Sequence, residues 1–229
     1  MRVNGLVPYT ALAGISRVAI TRFAALVLAL LAVAACAPKA PPLRGGVAPA
    51  RLPETELPPG HRLIVFRWEY ADNDFRAKGD GAARVAPPDS VRLDLFLGGS
   101  VGGGGYATLI GDTLSTPPEG GSIRRYLPPV PLLWAALGRL HVPTAPDTVA
   151  RIDADTLRVE IGRDPAWRAL FVARQLRRLE LIDGGRIPQW VTRDSAGHIH
   201  YEHARARRRL DLTIVRVDSV AAFDPAIWR

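Results

Sequence analysis

Cys36 is the residue whose type and position point most directly to a defined chemistry. It is the only cysteine in the 229-residue chain, so no intramolecular disulfide can form. Val33, Ala34 and Ala35 precede it and end an apolar run that starts at Phe23. This arrangement is typical of the bacterial lipobox, in which the chain is cut before a lipid-modified cysteine. We therefore predict lipidation of Cys36. The alternative is an unmodified thiol within the apolar run.

Ser100 lies in a second motif that could carry chemistry. Residues 98–102 read GGSVG and match the G-x-S-x-G pattern of a nucleophile elbow, which requires a strand, a sharp turn and then a helix. Here more glycines and a second strand-like run, residues 106–110, follow the serine. We interpret the motif as a hairpin loop, with a serine esterase as the alternative. The run also lacks the Gly-Lys-Ser/Thr ending of a phosphate-binding loop.

Three histidines and four arginines cluster near the C-terminus. His198 and His200 would share one face of a strand, as a metal pair requires, with His203 nearby. No acidic or thiol ligand stands at a defined spacing, so we assign no metal ligand and favour a solvated outer face. The basic cluster consists of Arg205, Arg207, Arg208 and Arg209. It is interpreted as strand-edge charge or as contact with anionic lipid headgroups.

The carboxylates offer no catalytic pair. They occur singly along strands and turns, so no general acid and base can be assigned. We therefore expect no enzymatic activity and no cofactor.

The segment before Cys36 has the organisation of an export signal. Its only charges are Arg2, Arg17 and Arg22, and the apolar run that follows has 13 residues, shorter than the roughly 20 that span a bilayer. We predict a signal peptide over residues 1–35. The remaining chain has 27 Lys and Arg against 22 Asp and Glu, an excess of +5. This charge favours anionic membranes mildly, and we expect no nucleic-acid partner for an exported, membrane-tethered domain.

Seven prolines punctuate the segment between Cys36 and Gly60, which lacks a sustained apolar period. Such a composition is typical of extended, partly polyproline linkers. We predict a lipidated tether over residues 36–60 and a folded domain over residues 61–229.

Short runs of alternating apolar and polar residues follow Gly60. Ile64, Phe66, Trp68 and Tyr70 would share one face of a strand, and Val91, Leu93, Leu95 and Leu97 repeat the pattern. Turn signals separate the runs, at residues 79–81, 87–89, 111–112, 183–185 and 195–197. We predict a mainly β fold, an antiparallel meander of eight to eleven strands that curls into a barrel or half-barrel.

One stretch, residues 131–140, breaks this pattern. It starts with a proline suited to a first helical position and is apolar on almost every side. A helix of that kind must be enclosed by other protein. We predict that it lies in the concave face of the sheet, with Trp134, Leu137 and Leu140 against the strands.

Together these features resemble the LolA/LolB family of periplasmic lipoprotein carriers and outer-membrane lipoprotein receptors. The resemblance rests on residues 62–68 (RLIVFRW), 84–96 (RVAPPDSVRLDLF), 107–114 (ATLIGDTL) and 131–134 (PLLW), in the family's order across most of residues 61–229. It implies a curved antiparallel half-barrel closed by short helices, whose apolar interior takes up acyl chains. The lipobox points to the lipidated, receptor-like branch, although Val101 is a poor substitute for a large apolar loop residue that dips into a membrane.

The resemblance gives a working hypothesis about function. We expect a monomer that is anchored to the outer membrane through Cys36, faces the periplasm, and binds acyl chains of lipoproteins or other lipids. The residues expected to line the cavity are Phe66, Trp68, Val91, Leu93, Leu95, Trp134, Leu137 and Leu140; those expected at the membrane are Val101 and the four arginines. The alternative is a structural or interaction lipoprotein with a filled core.

Overall fold

The chain folds around one long antiparallel β-sheet. The computed structural model describes residues 37–98, 103–117, 123–143 and 145–228. In these ranges the strands are β1 (Gly46–Ala48), β2 (His61–Ala71), β3 (Arg76–Ala86), β4 (Ser90–Leu97), β5 (Gly104–Ile110), β6 (Thr113–Ser115), β7 (Thr148–Asp153), β8 (Thr156–Ile161), β9 (Ala166–Val172), β10 (Gln175–Asp183), β11 (Arg186–Arg193), β12 (His198–His203) and β13 (Arg208–Val220). One α-helix, α1 (Val130–Ala136), and short 3-10 helices at Ile123–Tyr126, Ala204–Ala206 and Pro225–Trp228 accompany them.

The strands form two meanders joined side by side. The order across the sheet is β1, then β7 to β13, then β2 to β6, and every neighbouring pair is antiparallel. The long strands β2 and β13 pair at the centre, where Phe66 lies opposite Ile214 and Trp68 opposite Leu212. The edge strands β1 and β6 do not pair with each other within the described ranges, so the sheet stays open.

Alternation along the strands determines which face is buried. In β2 the side chains of Phe66, Trp68 and Tyr70 are buried, whereas those of Arg67 and Glu69 are exposed. Side chains of successive strand residues point to opposite faces, so the apolar set covers one face and the charged set the other. This inner face continues through Val91 of β4 and other strands into the main hydrophobic core.

Helix α1 shows how strongly the sheet curves. It packs against β10 and β11, and its Trp134 donates a hydrogen bond from Nε1 to the carbonyl oxygen of Gly111, in the turn after β5, at 2.9 Å. In a flat sheet β11 and β5 would lie about 30 Å apart at about 4.8 Å per strand. A seven-residue helix is only about 10 Å long, so the sheet must wrap around it.

The predicted mainly β, curved antiparallel fold is confirmed, as is the enclosed helix. Leu132, Leu133, Trp134 and Ala135 of α1 are all buried. The sheet has thirteen strands in the described ranges, more than the eight to eleven expected. The difference includes β1 and β6, which have three residues each, too few to show a periodicity of two.

The turn predicted at residues 79–81 is wrong, since Gly79 and Gly81 lie inside β3. These glycines make room for neighbouring chains. A Cβ atom on Gly81 would lie 2.4 Å from the Phe66 ring, and one on Gly79 would lie 1.9 Å from the carbonyl oxygen of Phe96. The turns predicted at 87–89, 111–112, 183–185 and 195–197 are present.

The segment predicted as a tether is fixed to the domain along part of its length. The backbone N–H of Ile187 donates to the carbonyl oxygen of Pro38, and that of Ala40 donates to Gly185. Further on, β1 pairs with β7, and Leu57 is buried in the main core. Prolines cannot donate to a sheet ladder but can accept through their carbonyl oxygens, as Pro38 does here.

Residues 37–229 form one compact unit, so the folded domain begins before residue 61. In the described part of the chain, no helix is both long and apolar enough to cross a membrane.

Candidate functional site

The most enclosed candidate site is an apolar cavity between α1 and the inner face of the sheet. Its volume is about 100 Å³. Strands β2 to β5 and β11 to β13 contribute one wall, and α1 with the turn before it contributes the other. The lining comprises Ile64, Phe66, Ala83, Val91, Leu93, Leu95, Leu109, Leu127, Pro128, Leu133, Ala136, Leu137, Val191, Arg193, Ile199, Tyr201, Leu210, Leu212 and Ile214. We call this space the helix cavity.

A second, larger space adjoins the helix cavity on the side of β2 to β5. Its volume is about 290 Å³, and it is lined by Trp68, Tyr70, Phe75, Ala77, Leu95, Leu97, Gly104, Gly105, Ile123, Tyr126, Leu127 and Leu210. We call it the rim cavity. Both cavities are lined by Leu95, Leu127 and Leu210, so the two spaces adjoin at these side chains.

The rim cavity carries exposed apolar side chains. Phe75 and Leu97, which line it, are each 44% exposed. Gly104 and Gly105 complete this side with backbone only. The apolar lining therefore reaches the protein surface here.

The residues expected to line a cavity divide into three groups. Phe66, Val91, Leu93, Leu95 and Leu137 line the helix cavity, and Trp68 joins Leu95 in the rim cavity. Trp134 and Leu140 line neither space. Leu140 packs against the main core and its backbone N–H donates to Thr55 Oγ1.

Trp134 is a core residue that fixes the helix. Its side chain is fully buried, its Nε1 is bound to the carbonyl oxygen of Gly111, and the Arg139 guanidinium lies 4.8 Å from its ring centre. The cavity-facing residues of the helix are instead Leu133, Ala136 and Leu137. The sequence pattern, apolar on nearly every side, did not distinguish these two faces.

Two residues of the helix cavity had no clear signal in the sequence. Leu127 lies in a proline-rich turn, outside any periodic run. Arg193 ends β11, where a charged residue does not suggest an interior position. The alternation through Val191 places its side chain on the same face, however, and that spacing is the signal that could have identified it.

The polar groups of the lining are few. Tyr201 donates to Gln189 Oε1 at 2.8 Å, and burial raises the pKa of its phenol to about 12. Burial lowers the pKa of the Arg193 guanidinium, and the charge of Arg177 lowers it further. In the rim cavity, burial and then the hydrogen bond to Asp72 raise the pKa of Tyr70. Both phenols therefore stay neutral at physiological pH.

The three histidines bind separate partners. His198 Nδ1 lies 3.0 Å from Asp194 Oδ2, and His200 Nδ1 lies 2.6 Å from Asp211 Oδ1. His203 Nδ1 accepts a hydrogen bond from the backbone of Ala206. Among the described residues, no group of three or more His, Cys, Asp or Glu side chains is arranged to hold a metal ion.

The four arginines differ in exposure and in their partners. Arg205 pairs with Asp183 at 2.9 Å, and Arg209 lies opposite Glu202 in the sheet. Arg208 is half-buried and donates to the carbonyl oxygen of Arg125 at 2.5 Å, while Arg207 is exposed in a left-handed turn conformation.

Cys36, Ser100 and Val101 lie outside the described residues. The described chain resumes just after the serine motif, and β5 starts at Gly104. A strand therefore follows the motif where a nucleophile elbow would require a helix.

The fold and the site together define an open, curved antiparallel sheet that encloses apolar cavities beneath one buried helix. No family model matches the chain, and no curated protein matches it. Among solved structures, the chain is similar to a LolA-superfamily protein from Nitrosomonas europaea, with 11% identity, a TM-score of 0.46, and coverage of 77% of this chain and 93% of that one.

Two further structures are similar at comparable distance. A DUF1329-family protein from Desulfovibrio piger has 7% identity and a TM-score of 0.40, covering 75% of this chain and 90% of that one. A domain described as an outer membrane lipoprotein-sorting protein, from Vibrio parahaemolyticus, has 7% identity and a TM-score of 0.43, covering 74% and 89%. At these values, the similarities do not assign a function to the chain.

Proposed function

We propose that the protein is a non-enzymatic binding protein that holds acyl chains of lipoproteins or other lipids in its cavities. The observation that carries this proposal is the helix cavity, whose lining is apolar except for Tyr201 and Arg193. A polar ligand would lose its hydrogen bonds to water there without replacement. An acyl chain forms no hydrogen bonds to water and therefore loses none.

The size and connection of the two cavities suit a chain-like ligand. Their volumes of about 100 and 290 Å³ together reach the lower end of the roughly 300–1,000 Å³ typical of ligand pockets. The exposed Phe75 and Leu97, which line the rim cavity, provide an apolar entrance for a chain that leaves a membrane or a partner.

Anchoring is the second part of the proposal. A lipid on Cys36 would attach the domain to the periplasmic face of the outer membrane, with Arg205, Arg207 and Arg209 available to anionic headgroups. Because Pro38 and Ala40 are hydrogen-bonded to the domain, the residues after the anchor would act as part of the domain and not as a long free spacer.

Uptake is tested with a purified domain of residues 37–229 and a fluorescent fatty acid. We expect saturable binding and displacement by a lipopeptide with two or three acyl chains. Ala136→Leu should reduce uptake, because Ala136 lines the helix cavity and a larger side chain would fill it. Overpacking should cost the fold no more than about 1–3 kcal/mol.

The matched control is Ala222→Leu, which makes the same change at an exposed position and should leave uptake unchanged. If the unaltered domain shows no saturable binding, the interior does not take up acyl chains. The structural-lipoprotein hypothesis would then replace the proposal.

The anchor is tested separately with Cys36→Ala in the exported full-length chain. This change should abolish labelling with radioactive palmitate and release the protein from the membrane fraction, or block its processing. Unchanged labelling would disprove lipidation at this residue without affecting the test of uptake.

A further inference from the structure

Among the described residues, Arg193 is the only charged one in the lining of the helix cavity. It is the last residue of β11, so it lies where the inner face of the sheet ends. Apart from Tyr201, the rest of the lining is apolar. The Arg193 side chain is half-buried, and an arginine in apolar surroundings loses hydration, a cost that an anionic partner would offset.

The position of the guanidinium is set by Gly138, in the turn directly after α1. A Cβ atom on Gly138 would lie 2.2 Å from Arg193 Nη1, and the glycine has a φ of +89°. The absence of a side chain at this position therefore lets the guanidinium approach the backbone. Arg193 is held between the end of the helix and the cavity.

The described residues supply no anion that pairs with the Arg193 guanidinium. Across the described ranges, the Arg193 side chain forms no ion pair and no hydrogen bond. The adjacent Asp194 carboxylate has other partners within its turn. It accepts hydrogen bonds from the backbone N–H groups of Ala196 and His198 and contacts the His198 ring.

The charge of a second arginine, Arg177, also acts on Arg193. The Arg177 guanidinium disfavours the charged form of Arg193, in addition to the effect of burial. Arg177 likewise forms no ion pair within the described chain. Two like charges that act on each other are unfavourable, and an anion bound at Arg193 would relieve both the repulsion and the lost hydration.

We propose that Arg193, supported by Arg177, binds the anionic headgroup of an amphiphile whose acyl chain occupies the helix and rim cavities. This inference rests on the proposed acyl-chain function and adds the class of ligand. The headgroup is a carboxylate or a phosphate, since the planar guanidinium pairs with both through two parallel hydrogen bonds.

The test compares three probes on the domain of residues 37–229, which forms a compact unit. Dodecyl phosphate carries the chain and the anion, octaethylene glycol dodecyl ether carries the same chain without charge, and inorganic phosphate carries the anion alone. Binding is measured by calorimetry near neutral pH, below the micelle concentration. We expect dodecyl phosphate to bind at least about tenfold more tightly than either of the others, as charge-assisted hydrogen bonds imply.

Arg193→Gln should weaken dodecyl phosphate binding about tenfold and leave binding of the ether within about twofold. Arg177→Gln should weaken dodecyl phosphate binding less, because it acts through charge alone. The matched control is Arg67→Gln, on the exposed outer face of β2, which should affect neither probe.

The outcomes separate this inference from the proposed function. Equal binding of dodecyl phosphate and the ether, or an equal loss of both in Arg193→Gln, would overturn the headgroup site and leave acyl-chain binding intact. Binding of inorganic phosphate as tight as that of dodecyl phosphate would show a free-phosphate site and overturn the amphiphile. If neither dodecyl phosphate nor the ether binds, both proposals are overturned.

Discussion

The indole of Trp134 and the carbonyl oxygen of Gly111 form a 2.9 Å hydrogen bond that joins α1 to the turn after β5. This bond satisfies the only polar atom of a fully buried side chain. It also ties the helix to a strand far from β10 and β11, against which the helix packs. The indole therefore holds the curved sheet and its helix together, while the adjacent Leu133 faces the cavity.

Trp134→Ala should cost about 3–5 kcal/mol of unfolding free energy, because it removes a fully buried side chain and leaves a void. Trp134→Phe keeps a buried aromatic ring and should therefore cost less than Trp134→Ala, although it leaves the Gly111 carbonyl oxygen without its hydrogen-bond donor. Urea unfolding followed by circular dichroism measures both. Val217→Ala, at an exposed position of β13, is the control and should stay within about 0.5 kcal/mol. A small loss for Trp134→Ala would mean that the helix is a loosely held lid.

Gly81 and Phe66 provide a test of packing inside the sheet. Gly81→Ala would place a Cβ atom 2.4 Å from the Phe66 ring, so the ring must move, and we expect a loss of about 1–3 kcal/mol. In a Phe66→Leu background the same change should cost clearly less, because the two sites are coupled.

The control for Gly81→Ala is Gly46→Ala in edge strand β1, where the nearest atom to a new Cβ would be 3.9 Å away. It should change stability by no more than about 0.5 kcal/mol. Additive costs for Gly81 and Phe66 in the double variant would argue against the packing explanation.

The sequence predicted those parts of the fold that depend on local alternation. The inner faces of β2 and β4 follow directly from the spacing of Phe66, Trp68, Val91 and Leu93, because side chains in a strand alternate between faces. Helix α1 was identifiable for a related reason, since an all-apolar helix must be enclosed.

The features that were missed depend on contacts between distant segments. Nothing in residues 79–81 distinguishes a turn from a strand, since the need for glycine comes from Phe66 and Phe96 on neighbouring strands. Whether Trp134 is core or cavity lining depends on the curvature of the sheet. Arg193 enters the site because Gly138, 55 residues earlier in the chain, leaves room for it.

The contacts between Asp194 and His198 predict that the stability of the fold depends on pH. Hydrogen bonds from the backbone and then the ring of His198, followed by the backbone of Ala196, hold the pKa of the Asp194 carboxyl below its ordinary value. A lowered pKa in the folded state stabilises the fold above the ordinary pKa, and this contribution is lost as the pH falls through the lowered value. NMR titration of Asp194 should show this low pKa.

His198→Ala should raise the pKa of Asp194 towards its ordinary value but not fully, because the backbone bonds from residues 196 and 198 remain. His61→Ala, on a different strand, is the control and should leave the Asp194 titration unchanged. A pKa that does not respond to His198→Ala would show that the backbone bonds alone lower it.

Leu57 and Leu52 test whether the proline-rich segment belongs to the folded domain. Both lie in the stretch whose composition predicts a tether, but Leu57 is 6% exposed and part of the main core, whereas Leu52 is 39% exposed. Leu57→Ala should cost about 2–5 kcal/mol through lost burial and a residual cavity, and Leu52→Ala should stay within about 0.5 kcal/mol. Urea unfolding of residues 37–229 measures both variants.

Equal, small losses would mean that Leu57 contributes no more than a linker residue and would restore residue 61 as the start of the domain. A selective loss for Leu57 would show that the segment after Cys36 is structural, which would limit how far the domain could move from the membrane under the proposed anchoring at Cys36.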